Sequence, residues 1–283
     1  MKNTIFIILI FVGLCSPVLA QRKTKLNTHG NGTLYLQFGY NRSGYLPTDV
    51  DVKSSAYNYT LQKVELSDNL EEKKMGAYFS SSSPQFSAKI GYFVANHWSI
   101  TGSWDRYNTF FKLGQETQLS GVFAPGNHAA FSGETNQTIL GNTNDFRISQ
   151  RYGMNVFSLG VQRNDMLGRT KGAEFAIHTL YGLRFGLIHT KADYTYNGST
   201  TKDLTSVSGL AVMLDLGVRF DFYQYVFLQV GLNSGVLHQN NIKLSQNGET
   251  IGKQSALFLS PTLSVGFSIF ANPKNNCASC PTW

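Results

Sequence analysis

Large apolar side chains alternate with small or charged ones along residues 209–222, GLAVMLDLGVRFDF. Residues two apart lie on the same face of a β-strand, so this stretch predicts one apolar face and one polar face. The apolar row is Leu210, Val212, Leu214, Leu216, Val218, Phe220 and Phe222, and the other row includes Asp215, Arg219 and Asp221. A soluble sheet would turn the apolar row to its core, whereas a membrane barrel would turn it to lipid.

The same alternation recurs along the chain, at 34–41, 86–94, 98–105, 157–162, 175–187, 226–233 and 257–269. Segments of about ten alternating residues separated by turns are typical of transmembrane β-barrels. We expect short connections near 95–97, 165–172 and 223–224, and long ones at 41–85, 112–152, 191–205 and 246–250. Short and long connections then alternate, as periplasmic turns and external loops do in such barrels.

These patterns predict an all-β fold: a transmembrane, antiparallel, up-and-down β-barrel with long external loops and short periplasmic turns. The wall closes at eight strands if 49–53 and 57–65 form a hairpin inside the first external loop. A wall of ten strands is the alternative. Pro261 lies within the last predicted strand, where it cannot donate a ladder hydrogen bond, so we expect a bulge or a broken seam there.

The cost of charge in lipid decides which row faces outward. A basic side chain at the bilayer midplane costs about 2 to 4 kcal/mol, so Arg184 and Arg219 should point inward. An eight-stranded barrel has an interior that side chains just fill, and a buried charge must be paired to be tolerated. We therefore predict a packed polar network in the lumen, with partners on different strands. Its members are Lys89, His178, Arg184, Asp215, Arg219 and Gln229.

Composition supports the membrane interpretation. Only 14% of the residues are charged, whereas about 25% is usual in soluble domains, which need charge to coat their surface. A soluble, secreted β-sandwich is retained as an alternative. The net charge is +7, but the basic residues are scattered rather than clustered, so nucleic acid is not an expected partner.

The first residues are typical of a secretory signal peptide. Lys2 gives a positive start, residues 5–14 are apolar, and small residues lie at 18–20 before the cleavage site. We expect a signal peptide at 1–20, a barrel at 21–270 and a C-terminal tail at 271–283. The expected location is the outer membrane of a Gram-negative bacterium. The expected partners are outer-membrane lipid and the barrel-assembly machinery.

Candidate metal and disulfide sites are sparse. Cys277 and Cys280 form a C-x2-C in the tail, but a structural zinc site normally takes four ligands. In an oxidising compartment we expect a local disulfide or two idle thiols, and no cofactor. Asp49 and Asp51 lack the full loop of oxygen ligands that calcium requires, so they are interpreted as hairpin surface.

Two histidines are candidates for catalysis. His178 is predicted to face the lumen, and His128 lies in the second long loop. A serine hydrolase needs a nucleophile, a base and an orienting acid in contact, and the sequence has no G-x-S-x-G elbow. We therefore predict that the protein is not an enzyme. A membrane-embedded, lipid-modifying enzyme that uses one of these histidines is an alternative.

Three stretches resemble a known family: FGYNRSGY at 38–45, YNYTLQKVELSDN at 57–69 and SPQFSAKIGYFVANHWSITGSWDRY at 83–107. They are similar to a largely uncharacterised family of small bacterial outer-membrane β-barrel proteins. The likeness is clearest over the first third of the mature chain. The resemblance implies a fold and a location, and it implies no catalytic residues.

Together these observations predict an outer-membrane β-barrel with an interior filled by side chains. Its expected role is structural, or is the binding of an extracellular ligand or protein through the loops at 41–85 and 112–152. Long loops on a rigid scaffold are where function usually lies. A pore for small solutes, with a hydrated lumen, is the alternative of a different class.

Overall fold

The computed structural model describes residues 30–68, 85–140, 145–170 and 174–270. The predicted signal peptide and the two tail cysteines lie outside these residues. Among the described residues, no helix is long and apolar enough to cross a membrane. The strands in the described ranges are β1 (Thr33–Asn41), β2 (Gly44–Tyr45), β3 (Thr48–Lys53), β4 (Tyr57–Val64), β5 (Leu66–Ser67), β6 (Phe86–Ala95), β7 (Trp98–Phe111), β8 (Glu116–Phe123), β9 (Gly133–Leu140), β10 (Arg147–Arg169), β11 (Phe175–Tyr196), β12 (Ser199–Phe222), β13 (Val226–Lys243) and β14 (Ile251–Phe270).

Eight of the described strands form a closed antiparallel ring. Their order is β1–β6–β7–β10–β11–β12–β13–β14, and β14 returns to β1 from Thr33↔Phe270 to Asn41↔Thr262. The predicted up-and-down β-barrel is confirmed. The predicted hairpin is also present, because β3 pairs with β4 outside the ring. Across the described residues the wall therefore has eight strands rather than ten.

A second group of strands continues the sheet at the external end. The beginning of β14 pairs with β3, and the order then runs through β4 and β8 to β9. We call β3, β4, β8 and β9 the external sheet. The loop predicted at 112–152 thus contains β8, β9 and the beginning of β10. Its described residues are therefore mostly in strands rather than in an irregular connection.

The prediction of a long loop at 191–205 is wrong. β11 and β12 continue as strands through this stretch and meet at a two-residue turn. Asn197 and Gly198 occupy that turn with φ of 49° and 75°. Asn-Gly is the preferred pair for a type I′ hairpin turn, in which both central residues have positive φ.

Pro261 interrupts the ladder on one edge of β14 only. Towards β13 the register passes through Leu232↔Pro261 without a shift, so no bulge forms on that edge. On the other edge the pairing with β1 ends beside the proline and resumes in β2. There the Arg42 N–H donates to the Pro261 carbonyl at 3.2 Å, and the Arg42 carbonyl accepts a hydrogen bond from Ser260 Oγ at 2.8 Å. The serine hydroxyl therefore replaces the donor that proline lacks.

The apolar row of β12 faces outward, and its polar row faces the lumen. The exposed fraction of the residue is 52% for Leu214 on β12 and 50% for Val230 on the neighbouring β13, against 6% for Asp215 and 0% for Arg219 on β12. On β12 the outward row runs from Leu210 to Phe222, which is about 28 Å along the membrane normal at 3.3 Å per residue and a tilt of 45°. Other strands add exposed residues to the same belt, among them Ile90, Ile100, Leu159, Phe185, Leu257, Val265 and Phe267.

A continuous apolar belt on the outside, with charges inside, is the reverse of a soluble barrel. A belt of this height matches the apolar band of about 25 Å on membrane barrels. Surface patches of this extent mark contact with a membrane or with another protein. The fold is therefore that of a transmembrane β-barrel, with lipid against the belt.

Candidate functional site

The centre of the lumen holds a buried cluster of two cations and two carboxylates. Lys89 Nζ donates to Asp215 Oδ2 at 2.8 Å, and Arg184 Nη2 donates to Asp215 Oδ1 at 2.7 Å. The other arm of Arg184, Nη1, forms an ion pair with Asp105. These side chains come from β6, β7, β11 and β12, so the cluster ties both sides of the ring together. The charges cancel, as a buried group of ions requires.

Uncharged polar groups complete this cluster. Arg184 Nη1 lies 3.2 Å from Ser158 Oγ, and Ser87 Oγ donates to Asp105 Oδ1 at 2.5 Å. Lys89 Nζ also reaches Gln162 Oε1 at 3.5 Å. Hydrogen bonds to charged groups are stronger than those between neutral groups. The cluster is thus a connected plug across the barrel.

The remaining predicted residues make two further groups of contacts nearer the periplasmic end. The Arg219 guanidinium carbon lies 4.7 Å from the Tyr35 ring centre and 3.9 Å from that of Phe227. Arg219 Nε and Nη2 lie 3.3 and 3.2 Å from Gln229 Oε1. His178 Nε2 lies 2.8 Å from Asp221 Oδ2. All six predicted lumen residues are buried.

Glycines in the inward rows make room for the large side chains. A large inward side chain leans over the neighbouring strand of the wall, so it needs space there; a Cβ at Gly91, for example, would overlap the Tyr35 ring. In this barrel the cross-strand partner of many large inward residues is glycine. The pairs are Tyr35↔Gly91, Phe227↔Gly266, Arg184↔Gly160, Asp215↔Gly182, Leu180↔Gly217 and Met213↔Gly235.

Two carboxylates central to these contacts, Asp105 and Asp221, were not among the predicted site residues. Strand alternation placed both on inward faces, which was the available signal. What alternation does not give is the register between β6, β7, β11 and β12 that brings Asp105 to Arg184 and Asp215 to Lys89.

An apolar layer covers the charged cluster on its external side. Tyr107 lies two residues from Asp105, and Met213 lies two residues from Asp215; the Tyr107 hydroxyl is 3.8 Å from Met213 Sδ. Both side chains are completely buried. The layer consists of Tyr107, Met154, Val156, Ile188, Ala211, Met213, Leu237 and Phe258. Within the described residues, the charged cluster and this apolar layer are therefore stacked along the lumen.

Beyond this layer, the external sheet and the extended wall share a second apolar core. It joins Val52, Leu61 and Leu119 of the external sheet to Tyr194 and Ile242 of the wall. The phenol oxygens of Tyr59 and Tyr194 lie 2.8 Å apart. Burial raises the pKa of Tyr59 well above the ordinary value for tyrosine. Both phenols thus stay neutral over the physiological pH range, and the external region is a packed domain.

His128 is part of this external core. Its ring stacks on Phe146 with 5.1 Å between centroids, and its Nδ1 accepts a hydrogen bond from the Ala130 N–H at 3.1 Å. Its Nε2 lies 3.6 Å from Asp145 Oδ1. Aromatic packing and a backbone hydrogen bond explain why this histidine is buried.

A different histidine contacts a serine. On the outward face, His238 Nδ1 and Ser255 Oγ are 2.6 Å apart. A hydrolase triad also needs a carboxylate that orients the imidazole. Within the described residues, His238 has no such partner.

The described residues also contain no group of three or more His, Cys, Asp or Glu side chains that could hold a metal ion. Asp51 Oδ1 accepts from Thr60 Oγ1 at 2.6 Å. Asp49 Oδ1 accepts from the Lys63 N–H at 2.8 Å. Both aspartates therefore hold the β3–β4 hairpin together.

Comparison with solved structures finds outer-membrane proteins. Ail of Yersinia pestis is 12% identical with a TM-score of 0.34, and the match covers 84% of this chain and 99% of Ail. OprG of Pseudomonas aeruginosa is 10% identical with a TM-score of 0.41, covering 87% and 100%. Neisserial surface protein A is 14% identical with a TM-score of 0.35, covering 85% and 99%. At these values the likeness concerns the fold alone.

No protein-family model matches the sequence, and no curated protein does.

Proposed function

We propose that the chain is an outer-membrane β-barrel that anchors a folded external domain at the cell surface and conducts no solutes. The observation that carries this proposal is the pair of stacked layers in the lumen. A charge-paired cluster around Asp215 crosses the barrel, and the apolar layer around Met213 lies directly above it. A pore would need a continuous wet path along this axis.

The outward belt supports outer-membrane lipid as the partner of the wall. A closed barrel satisfies its backbone hydrogen bonds within the ring, so it can lie in lipid without a cost from unpaired groups. Insertion would involve the barrel-assembly machinery. The external domain is then the part available to an extracellular ligand or protein, in a structural or surface-interaction role.

Planar-bilayer recordings test the absence of conduction. The purified full-length protein is expected to give no steady channels, because the two layers leave no continuous water path. The matched control is a variant with Tyr107→Ala, Met213→Ala and Phe258→Ala. These three changes remove the bulk of the apolar layer, so the recordings compare the intact layer with a thinned one. Steady unitary conductance from the unaltered protein would contradict the proposal and favour the pore. Membrane fractionation with a heat-modifiable gel shift verifies location and folding in the same samples.

A further inference from the structure

The last strand of the external sheet, β9, pairs with a described strand on one side only. β9 pairs with β8 along its whole length, from Glu116↔Leu140 to Phe123↔Gly133. The strand order ends at β9, so no described strand lies on its other side. The backbone N–H and C=O groups along such an edge can pair with another strand.

β9 carries few of the features that block strand addition. Soluble sheets protect their edges with lysine, proline, bulges or very short strands. The sequence GETNQTIL at 133–140 has no lysine and no proline, and Glu134 is its only charge. Its register with β8 contains no shift, so no bulge bends the strand away. The edge therefore has no bulge, and its eight side chains are exposed or half-exposed.

An apolar pocket adjoins this edge on the inner face of the external sheet. Ile139 of β9 forms part of its wall, together with Leu61, Phe111, Leu113 and Phe146. The pocket is small, with a cavity volume of about 20 Å³, and it is partly open to solvent. Successive side chains of a strand point to opposite faces, so every second residue of an added strand would point to the pocket side.

Charge indicates which kind of strand fits. Strands β8 and β9 contain Glu116 and Glu134 but no lysine or arginine, in a chain whose net charge is +7. Glu116 and Glu134 are exposed on these strands, so the charge beside an added strand is acidic. The pocket itself, by contrast, is lined by Lys112 and Arg147 as well as Asp145. A neutral or basic partner strand is favoured over an acidic one, because opposite charges across strands stabilise and like charges destabilise.

We propose that β9 binds an extended, basic peptide segment of an extracellular protein as an added strand, with one apolar side chain in the pocket beside Ile139. Main-chain hydrogen bonds then give affinity, and the pocket and the acidic residues give specificity. This proposal rests on the external placement of the sheet that the proposed function requires.

The test uses the full-length protein in detergent micelles and a fluorescein-labelled peptide, Lys-Val-Lys-Ile-Thr-Val-Lys. Fluorescence anisotropy is expected to show saturable binding. Methylation of alternate peptide nitrogens removes the hydrogen-bond donors from one edge of the peptide strand. Two peptides are compared, one for each alternating pattern of methylation. The peptide whose methylated nitrogens face β9 is expected to bind about tenfold or more weakly than the parent peptide. Replacing each peptide lysine by glutamate should also weaken binding. No saturable binding up to about 1 mM, a free energy of roughly −4 kcal/mol, overturns the proposal.

Protein variants and hydrogen exchange locate the site. Glu134→Lys should weaken binding by about tenfold, whereas the matched change Glu249→Lys, at an exposed position after β13, should not. Amides at alternate positions of 133–140 should become protected from exchange on binding. Equal binding by both N-methylated peptides and the parent, or unchanged exchange in β9, overturns strand addition. Self-association of the protein that Asn136→Lys abolishes would assign the edge to a second copy instead. If the peptide does not bind and the bilayer recordings show no channels, strand addition is wrong but the proposed function is still supported.

Discussion

Replacing Asp215 by asparagine is expected to lower the free energy of unfolding by about 3 to 5 kcal/mol. The carboxylate accepts from Lys89 at 2.8 Å and from Arg184 at 2.7 Å in the middle of the lumen. Asparagine keeps the shape but removes the charge, which leaves the buried cluster with one net positive charge. Reversible urea unfolding of the folded barrel in lipid vesicles measures the difference.

The matched control is Asp203→Asn, which removes the carboxylate of an exposed pair. Asp203 Oδ1 lies 2.8 Å from Lys191 Nζ, at the same distance as the buried pair. An exposed pair contributes at most about 1 kcal/mol. Adding Lys89→Met to Asp215→Asn should recover part of the loss, because it restores the charge balance. An Asp215→Asn variant as stable as the Asp203→Asn variant would indicate that water fills the lumen.

Leu214→Arg is expected to destabilise the barrel by about 2 to 4 kcal/mol in vesicles. Leu214 is in the middle of the outward row of β12, so the guanidinium would lie in hydrocarbon. The measurement is the same urea unfolding in vesicles. Val122→Arg is the control, because Val122 is 56% exposed and Leu214 is 52% exposed, yet Val122 lies on β8 of the external sheet. A surface change in water usually alters stability by less than about 0.5 kcal/mol. Equal effects at the two positions would contradict the assignment of the β12 row to lipid.

The barrel and the direction of its faces could be predicted because alternation is a local rule. Leu214 and Asp215 must point to opposite faces whatever the rest of the chain does. The hairpin at 49–53 and 57–65 was predicted from the strand count, because the wall closes at eight strands when this hairpin lies inside the first external loop. The turn at Asn197 and Gly198 was also readable from its residue pair, but the charged stretch around it was interpreted as a loop.

The contacts inside the barrel depend on information that alternation does not contain. Lys89 and Asp215 are separated by 126 residues, and only the register of the intervening strands brings them together. The same holds for the external sheet, in which β8 pairs with β4 across a large part of the chain. Alternation also gives the face of a residue and not its surroundings. Met213 and Ile188 therefore face inward like Asp215, yet they form an apolar layer rather than part of a polar network.

A nitroxide scan along β12 tests the central claim most directly, namely that the row containing Leu214 contacts lipid while its neighbours fill the interior. Single cysteines are placed at each position from 210 to 220 in a chain with Cys277→Ser and Cys280→Ser, and spin-labelled in vesicles. Collision with oxygen, which concentrates in lipid, is expected to peak at every even position. The odd positions should be immobile and inaccessible. Even positions that instead collide with a water-soluble nickel complex would contradict the membrane-spanning barrel.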